Sequence, residues 1–148
     1  MVTINQILAH IIGDYFLQSD WMATLKAKKW MPAICHVLLY ILPFLFITQS
    51  IWALSVICIS HLLIDHFGLA KYFCWAKNFI APKCIEWSKI NKNGLLVSEL
   101  RRNYPYDLCA ESGGYSRNRP IWLTIWLMII VDNTIHIIIN GLAIKYLG

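Results

Sequence analysis

The sequence predicts an all-α fold: a polytopic integral membrane protein built as a four-transmembrane-helix bundle, with interfacial helices on its cytoplasmic side. Three observations carry that expectation. Of the 148 residues 58% are hydrophobic and only 14% charged. Apolar runs close to the ~20 residues that a bilayer-crossing helix needs recur along the chain. The acidic residues inside those runs each have a histidine four positions away, as His10/Asp14, His61/Asp65 and Asp132/His136. Side chains four apart share one face of an α-helix, so each pair would aim an imidazole and a carboxylate at the same place.

Taken in order, spans are expected at about 2–18, 31–49, 51–73 and 120–146. The first is short and carries Asn5, Gln6, His10, Asp14 and Gln18, so its polar face must be covered by the other spans. No basic stretch precedes it and no small-residue cleavage site comes after it, which argues against a removable signal peptide. Lys26, Lys28 and Lys29 lie between spans one and two. Lys77, Lys83, Lys89, Lys92, Arg101, Arg102, Arg117 and Arg119 lie between spans three and four, and Thr48-Gln49-Ser50 separates spans two and three without a cation. Positive-inside bias then places both basic connections in the cytoplasm and both termini outside, with Lys145 against the trend.

The connection from Ser19 to Trp30 reads as a short helix at the membrane surface. Asp20 caps it, Trp21 and Trp30 suit the headgroup boundary, and its lysines face water. The cytoplasmic connection at about 74–119 contains an amphipathic helix from Pro82 to Asn93-Gly94, with Ile85 and Trp87 toward lipid or protein. The segment Glu99 to Pro120 reads either as a lid over the cytoplasmic mouth or as a solvated linker. There is no internal repeat, and residues 1–148 read as one membrane domain.

Several function classes drop out. The net charge of +5 is explained by cations flanking spans and meeting anionic headgroups, so nucleic acid is not an expected partner. The five cysteines, at 35, 58, 74, 84 and 109, form no Cys-x-x-Cys pair and read as free thiols. No Gly-x-Ser-x-Gly, phosphate-binding glycine loop or dinucleotide fingerprint is present, which disfavours a serine hydrolase, a nucleotide-driven pump and a Rossmann enzyme.

The buried ionisable groups carry the chemistry, because at bilayer depth each costs at least a few kcal/mol unless paired, hydrated or bound to metal. Span one presents Gln6, His10, Asp14 and Gln18 at steps of four. Span three presents Cys58, His61, Asp65 and Gly68, and span four Asp132, His136 and Asn140 with Asn133 at the edge. His36 with Tyr40 completes the ring from span two, while His66 points about 100° away from Asp65 to a neighbouring face. Imidazoles and carboxylates are ligands of Zn, Mn and Fe, so His10, Asp14, His61, Asp65, Asp132 and His136 are the candidate ligands of a divalent metal. Asp14 or His36 is the candidate general base, and Gln18 and Asn133 the candidates for orienting substrate. The competing reading makes each His/Asp pair hydrogen-bonded glue between helices.

The stretch His10-Ile-Ile-Gly13-Asp14-Tyr-Phe-Leu17-Gln18-Ser-Asp-Trp21-Met22-Ala23, together with His36, His61-Leu-Leu-Ile-Asp65 and Asp132-Asn133-Thr-Ile-His136 further along, resembles an uncharacterised integral-membrane family of bacteria and their phages, domain of unknown function 3307. The resemblance spans all four proposed helices. It implies a polytopic protein of the bacterial inner membrane, or of the host's inner membrane for a phage-borne member, and implies no activity. Two departures, Asn133 where the family pattern has Gln and a longer third connection, suggest a divergent member.

Three functions are in play. The first is a metal-dependent hydrolase acting on a lipid or another amphiphilic ester or phosphoester, its site open to the cytoplasmic leaflet. The second is a metal-ion or proton transporter element, assembled as a homo-oligomer because four short spans make a small pore. The third is a non-catalytic interaction protein of phage or bacterial membranes, working through 74–119.

Overall fold

The computed structural model describes residues 2–80 (backbone only at 79 and 80), Tyr115 and 120–148. The helix expected from Pro82 to Asn93-Gly94, nearly all of the Glu99–Pro120 segment, Cys84 and Cys109 lie outside the described residues. Everything regular among the described residues is helical: α1 (Ile4–Ile11) running into a π turn (Ile12–Phe16), α2 (Asp20–Leu25), α3 (Trp30–Tyr40) with a 3-10 turn (Leu42–Phe46), α4 (Ile51–Phe67), α5 (Leu69–Ile80) and α6 (Ile121–Leu147).

The chain divides into two compact units, Met1–Leu69 with Ile130–Gly148, and Ala70–Ile129. In the second, Lys77 Nζ donates to Tyr115 Oη at 3.2 Å. All the candidate functional residues belong to the first.

Local chemistry starts and stops these helices. Thr3 and Gln6 form a reciprocal capping box on α1, which satisfies two of the orphan N–H groups at its start. Ser50 caps α4. Ser19, not Asp20, caps α2; its hydroxyl accepts from the Met22 N–H, and Asp20 is instead the first helical residue, where its charge meets the helix dipole. Gly68 takes a left-handed backbone, φ 58°, and ends α4 at Phe67. The expected unbroken span 51–73 is therefore two helices, since a left-handed glycine is the usual helix stop. Pro43 cannot donate to an α ladder, and the chain passes from α3 into the 3-10 turn there. His36, six residues before Leu42, keeps its place on α3.

The π turn has a packing partner. The Leu17 N–H reaches the Ile12 carbonyl at 3.0 Å, the i+5 bond that widens the helix by one residue. Gly13 sits within it against α3: a Cβ there would lie 2.8 Å from both the Tyr40 ring and the Tyr40 carbonyl. The missing side chain is what lets α1 and α3 approach so closely.

Burial is inverted relative to an ordinary soluble domain. Gln6, His10, Asp14, His36, His61, Asp65, His136 and Asn140 are buried in the first unit, while Phe16 is 83% exposed and Phe46 94%, with Ile51, Trp52 and Leu38 also outward. By length and composition α6 is apolar and long enough to cross a membrane, and α4 with α5 qualifies as a second span if the pair broken at Gly68 counts as one. Ile4–Phe16 rises only about 20 Å against a hydrocarbon core of ~30 Å.

Gly13→Ala forces the Tyr40 backbone or ring to shift, so it is expected to destabilise the protein by about 1–3 kcal/mol, the usual cost of overpacking. Thermal unfolding in detergent, with Ala9→Gly as a comparison on the same helix, measures this.

Candidate metal centre

Four donor atoms from three segments converge in the first unit. The π turn supplies Asp14 Oδ1, α3 supplies His36 Nε2, and one face of α4 supplies His61 Nε2 and Asp65 Oδ2. The two imidazole nitrogens lie 3.0 Å apart. His36 Nε2 is 3.2 Å from Asp14 Oδ1 and 3.3 Å from Asp65 Oδ2. His61 Nε2 is 3.8 Å from Asp14 Oδ1 and 3.2 Å from Asp65 Oδ2. An ion held tetrahedrally by bonds of 2.0–2.1 Å has ligand atoms about 3.3–3.4 Å apart. The observed separations scatter around that edge, and all four side chains are buried.

A second group shares Asp65. His136 Nε2 on α6 is 3.3 Å from Asp65 Oδ1 and 3.6 Å from Asp132 Oδ2. Asp65 thus directs one oxygen into each group. Asp132 is the least enclosed member, its side chain 27% exposed, which leaves this three-donor group open on one side.

Lys26 enters the first group from outside it. Its ammonium lies 2.7 Å from Asp65 Oδ2, 3.4 Å from Asp14 Oδ1 and 3.3 Å from His36 Nε2. Burial disfavours the charged form, but Asp65 and Asp14 outweigh it and hold the Lys26 pKa above the ordinary lysine value. The lysines of this connection were expected to face water. Lys26 is the exception, because its four-methylene stem reaches back past the end of α2 to two carboxylates that need a cation.

A hydrogen-bonded chain fixes the cluster from behind. Asn140 Nδ2 donates to Tyr40 Oη at 2.6 Å. Tyr40 Oη is 2.9 Å from His10 Nδ1, and His10 Nε2 is 2.6 Å from Asn133 Oδ1. Asn133 Nδ2 donates to Tyr15 Oη at 2.6 Å. An amide oxygen only accepts, so neutral His10 carries its proton on Nε2 and takes the Tyr40 hydroxyl proton at Nδ1. The Tyr40 ring stacks on His61 with centroids 3.6 Å apart and planes 16° from parallel, which sets the plane of that imidazole.

Of the residues singled out from sequence, Asp14, His36, His61, Asp65, Asp132 and His136 come together in the two donor groups. His10 lies beside them, its ring 5.7 Å from that of His136, with both nitrogens engaged by Tyr40 and Asn133. Asn133 spends its amide on His10 and Tyr15. Gln18 has a buried Oε1 with no hydrogen-bond partner. His66 stands apart, stacked on Trp30 at 3.8 Å and donating from Nδ1 to the Lys26 carbonyl. Sequence reasoning missed Lys26 and Tyr15. The Trp21–Lys29 stretch carried a signal for Lys26, since a cation one turn from a membrane boundary is within reach of buried carboxylates.

The donor set fits a divalent cation. The two imidazole nitrogens at 3.0 Å can share an N–H···N hydrogen bond without an ion, and with both lone pairs turned inward they join two carboxylate oxygens as a set of four donors for one cation. Asp65 Oδ2 has ion-pair neighbours but no well-directed hydrogen bond, as expected of an oxygen oriented toward an ion. The Nδ1 atoms of His36 and His61 lack hydrogen-bond partners, so here ring stacking supplies some of the orientation that outer-shell hydrogen bonds usually give. Imidazole with carboxylate is the composition of Zn, Mn and Fe sites.

A family model described as protein of unknown function, DUF3307, matches residues 2–88. The matched part contains Asp14, Lys26, His36, His61 and Asp65 and stops before α6. No curated protein and no solved structure matches the chain.

Tyr40→Phe keeps the ring on His61 but leaves Asn140 and His10 without their shared hydroxyl. A loss of about 1–3 kcal/mol is expected, the cost of stranding buried polar groups, read as a lowered unfolding midpoint with the helical circular dichroism unchanged.

Proposed function

We propose that this chain, which belongs to the DUF3307 family, is an integral membrane metalloprotein that hydrolyses an amphiphilic ester or phosphoester. The observation that carries the metal is the convergence of four buried donor atoms, from Asp14, His36, His61 and Asp65, all within 4.8 Å of one another. The outward apolar side chains and the inward polar ones support a bilayer as the medium. In that medium α1, α3, α4 and α6 provide the four spans, the bilayer thinning locally to meet the short α1, and the termini face away from the cytoplasm.

A divalent ion there would polarise a carbonyl or phosphoryl oxygen and make a water more acidic. The chain's own residues divide the remaining work. His36 and His61 hold by nitrogen, and Asp14 and Asp65 hold while offsetting charge. With an ion held by the four-donor group, Asp132 and His136 stay unligated beside it and Asp65 joins the two groups. Asp132, the most accessible of them, is placed to take the proton of an attacking water whose oxygen joins the acyl carbon or phosphorus, and His136 to pass a proton to the departing alcohol oxygen. His10, Asn133 and Tyr40 position the imidazoles. The apolar surroundings favour a substrate that arrives from the lipid.

A second reading, a carrier of metal ions, is favoured by one observation: all four side chains of the first donor group are buried. Ion flux into proteoliposomes separates this reading from hydrolysis.

Elemental analysis of detergent-purified protein is expected to find Zn, Mn or Fe near one equivalent or more, lost from Asp14→Asn and His61→Ala and kept in His66→Ala, whose imidazole lies outside both groups. Folded wild type without bound metal after incubation with each ion would sink the metalloprotein reading. Metal-loaded wild type is then expected to cleave phospholipid or a phosphoester amphiphile and to stop when a chelator is added.

A further inference from the structure

Lys26 has a conspicuous position, because it is the one cation among the described residues of this cluster and it touches three of the four donors. Its Nζ meets Asp65 Oδ2, Asp14 Oδ1 and His36 Nε2 at 2.7, 3.4 and 3.3 Å, contacts that an ion among those donors would also make at shorter range. An ammonium and a divalent ion cannot both occupy that space, because like charges so close repel strongly in a poorly screened interior.

Access is arranged the same way. The side chains of His36 and His61 are 1% exposed, whereas that of Lys26 is 18% exposed. Lys26 is therefore the most exposed of the side chains that meet there, ahead of Asp14 at 7% and Asp65 at 4%. Its backbone is fixed: the N–H bonds to the Met22 carbonyl at 2.9 Å, and the carbonyl accepts from His66 Nδ1 at 2.8 Å. The His66 ring is in turn stacked on Trp30. Only the side-chain torsions are left to move, and rotating a lysine stem outward requires no change in the helices.

We infer that Lys26 is an internal stand-in cation: in the metal-free protein its ammonium occupies the place of the divalent ion among Asp14, His36 and Asp65, and the ion loads by displacing it outward. The inference rests on the metal-centre reading and adds its regulation. The metal-free state is kept neutralised and compact, weak cations are turned away, and loading frees a positive charge at the mouth of the site.

Cobalt(II) is the probe, because a tetrahedral site gives it visible absorption that can be titrated and competed with a chelator. Full-length protein in detergent is compared as wild type, Lys26→Gln and Lys26→Arg. Lys26→Gln is expected to bind cobalt about tenfold tighter or more, since the competing charge is gone, and Lys26→Arg no tighter than wild type. Equal or weaker binding by a Lys26→Gln protein that elutes like wild type would overturn the inference. If wild type and Lys26→Gln both fail to bind, the metal-centre reading itself falls. A second measurement needs no variant: amine acetylation of wild type, read by peptide mass, should modify Lys26 several-fold faster with cobalt bound than without. The same rate in both states would also overturn the inference.

Discussion

Everything in the first unit is arranged around one electrostatic demand: two carboxylates buried behind an apolar outer surface, with a third, Asp132, at the edge. Asp14 and Asp65 cannot both stay charged there without a positive partner. Lys26 supplies one charge in the structure as it stands. A divalent ion taking its place supplies two. The histidines serve either state, as hydrogen-bond partners in one and as ligands in the other. Interhelical glue and metal binding, which compete as explanations of the sequence, can therefore describe the same residues in two states of loading.

The precision of the cluster is set by close approach of backbones. Gly13 admits Tyr40, Tyr40 stacks on His61, and the hydroxyl at the far end of Tyr40 links Asn140 on α6 to His10 on α1. A tyrosine is suited to that position because one end is a flat apolar plate and the other both gives and accepts a hydrogen bond. Helices α1, α3, α4 and α6 are thus registered on a single side chain.

Much of this was legible from spacing alone. His61 with Asp65, and Asp132 with His136, are in contact because α4 and α6 are regular α-helices at those positions, where residues four apart lie on one face. His10 and Asp14 obey the same rule on paper, but the wider π turn begins between them and each has its own partners; nothing in Ile12–Phe16 announces such a turn except the glycine. Gly68 did announce the end of α4, yet a periodic face running through it made it look like part of the seam. Lys26 was hidden for a different reason. Charge counting treats a loop lysine as a topological marker, whereas the stem of a lysine is long enough to bring its charge back into the protein.

The π turn makes the geometry of Asp14 depend on chain length. Removing one residue beside Asp14, Tyr15 for example, would let the segment close into an ordinary helix and re-aim Asp14 by up to about 100°. The fold could survive such a change, with Thr3 still capping and the apolar surface still outward, while Asp14 was turned away from His36. Homologous chains that differ by a single-residue gap at this point would share an architecture and part company in chemistry. The length of this turn is thus a more telling marker of a working centre than the mere presence of an aspartate.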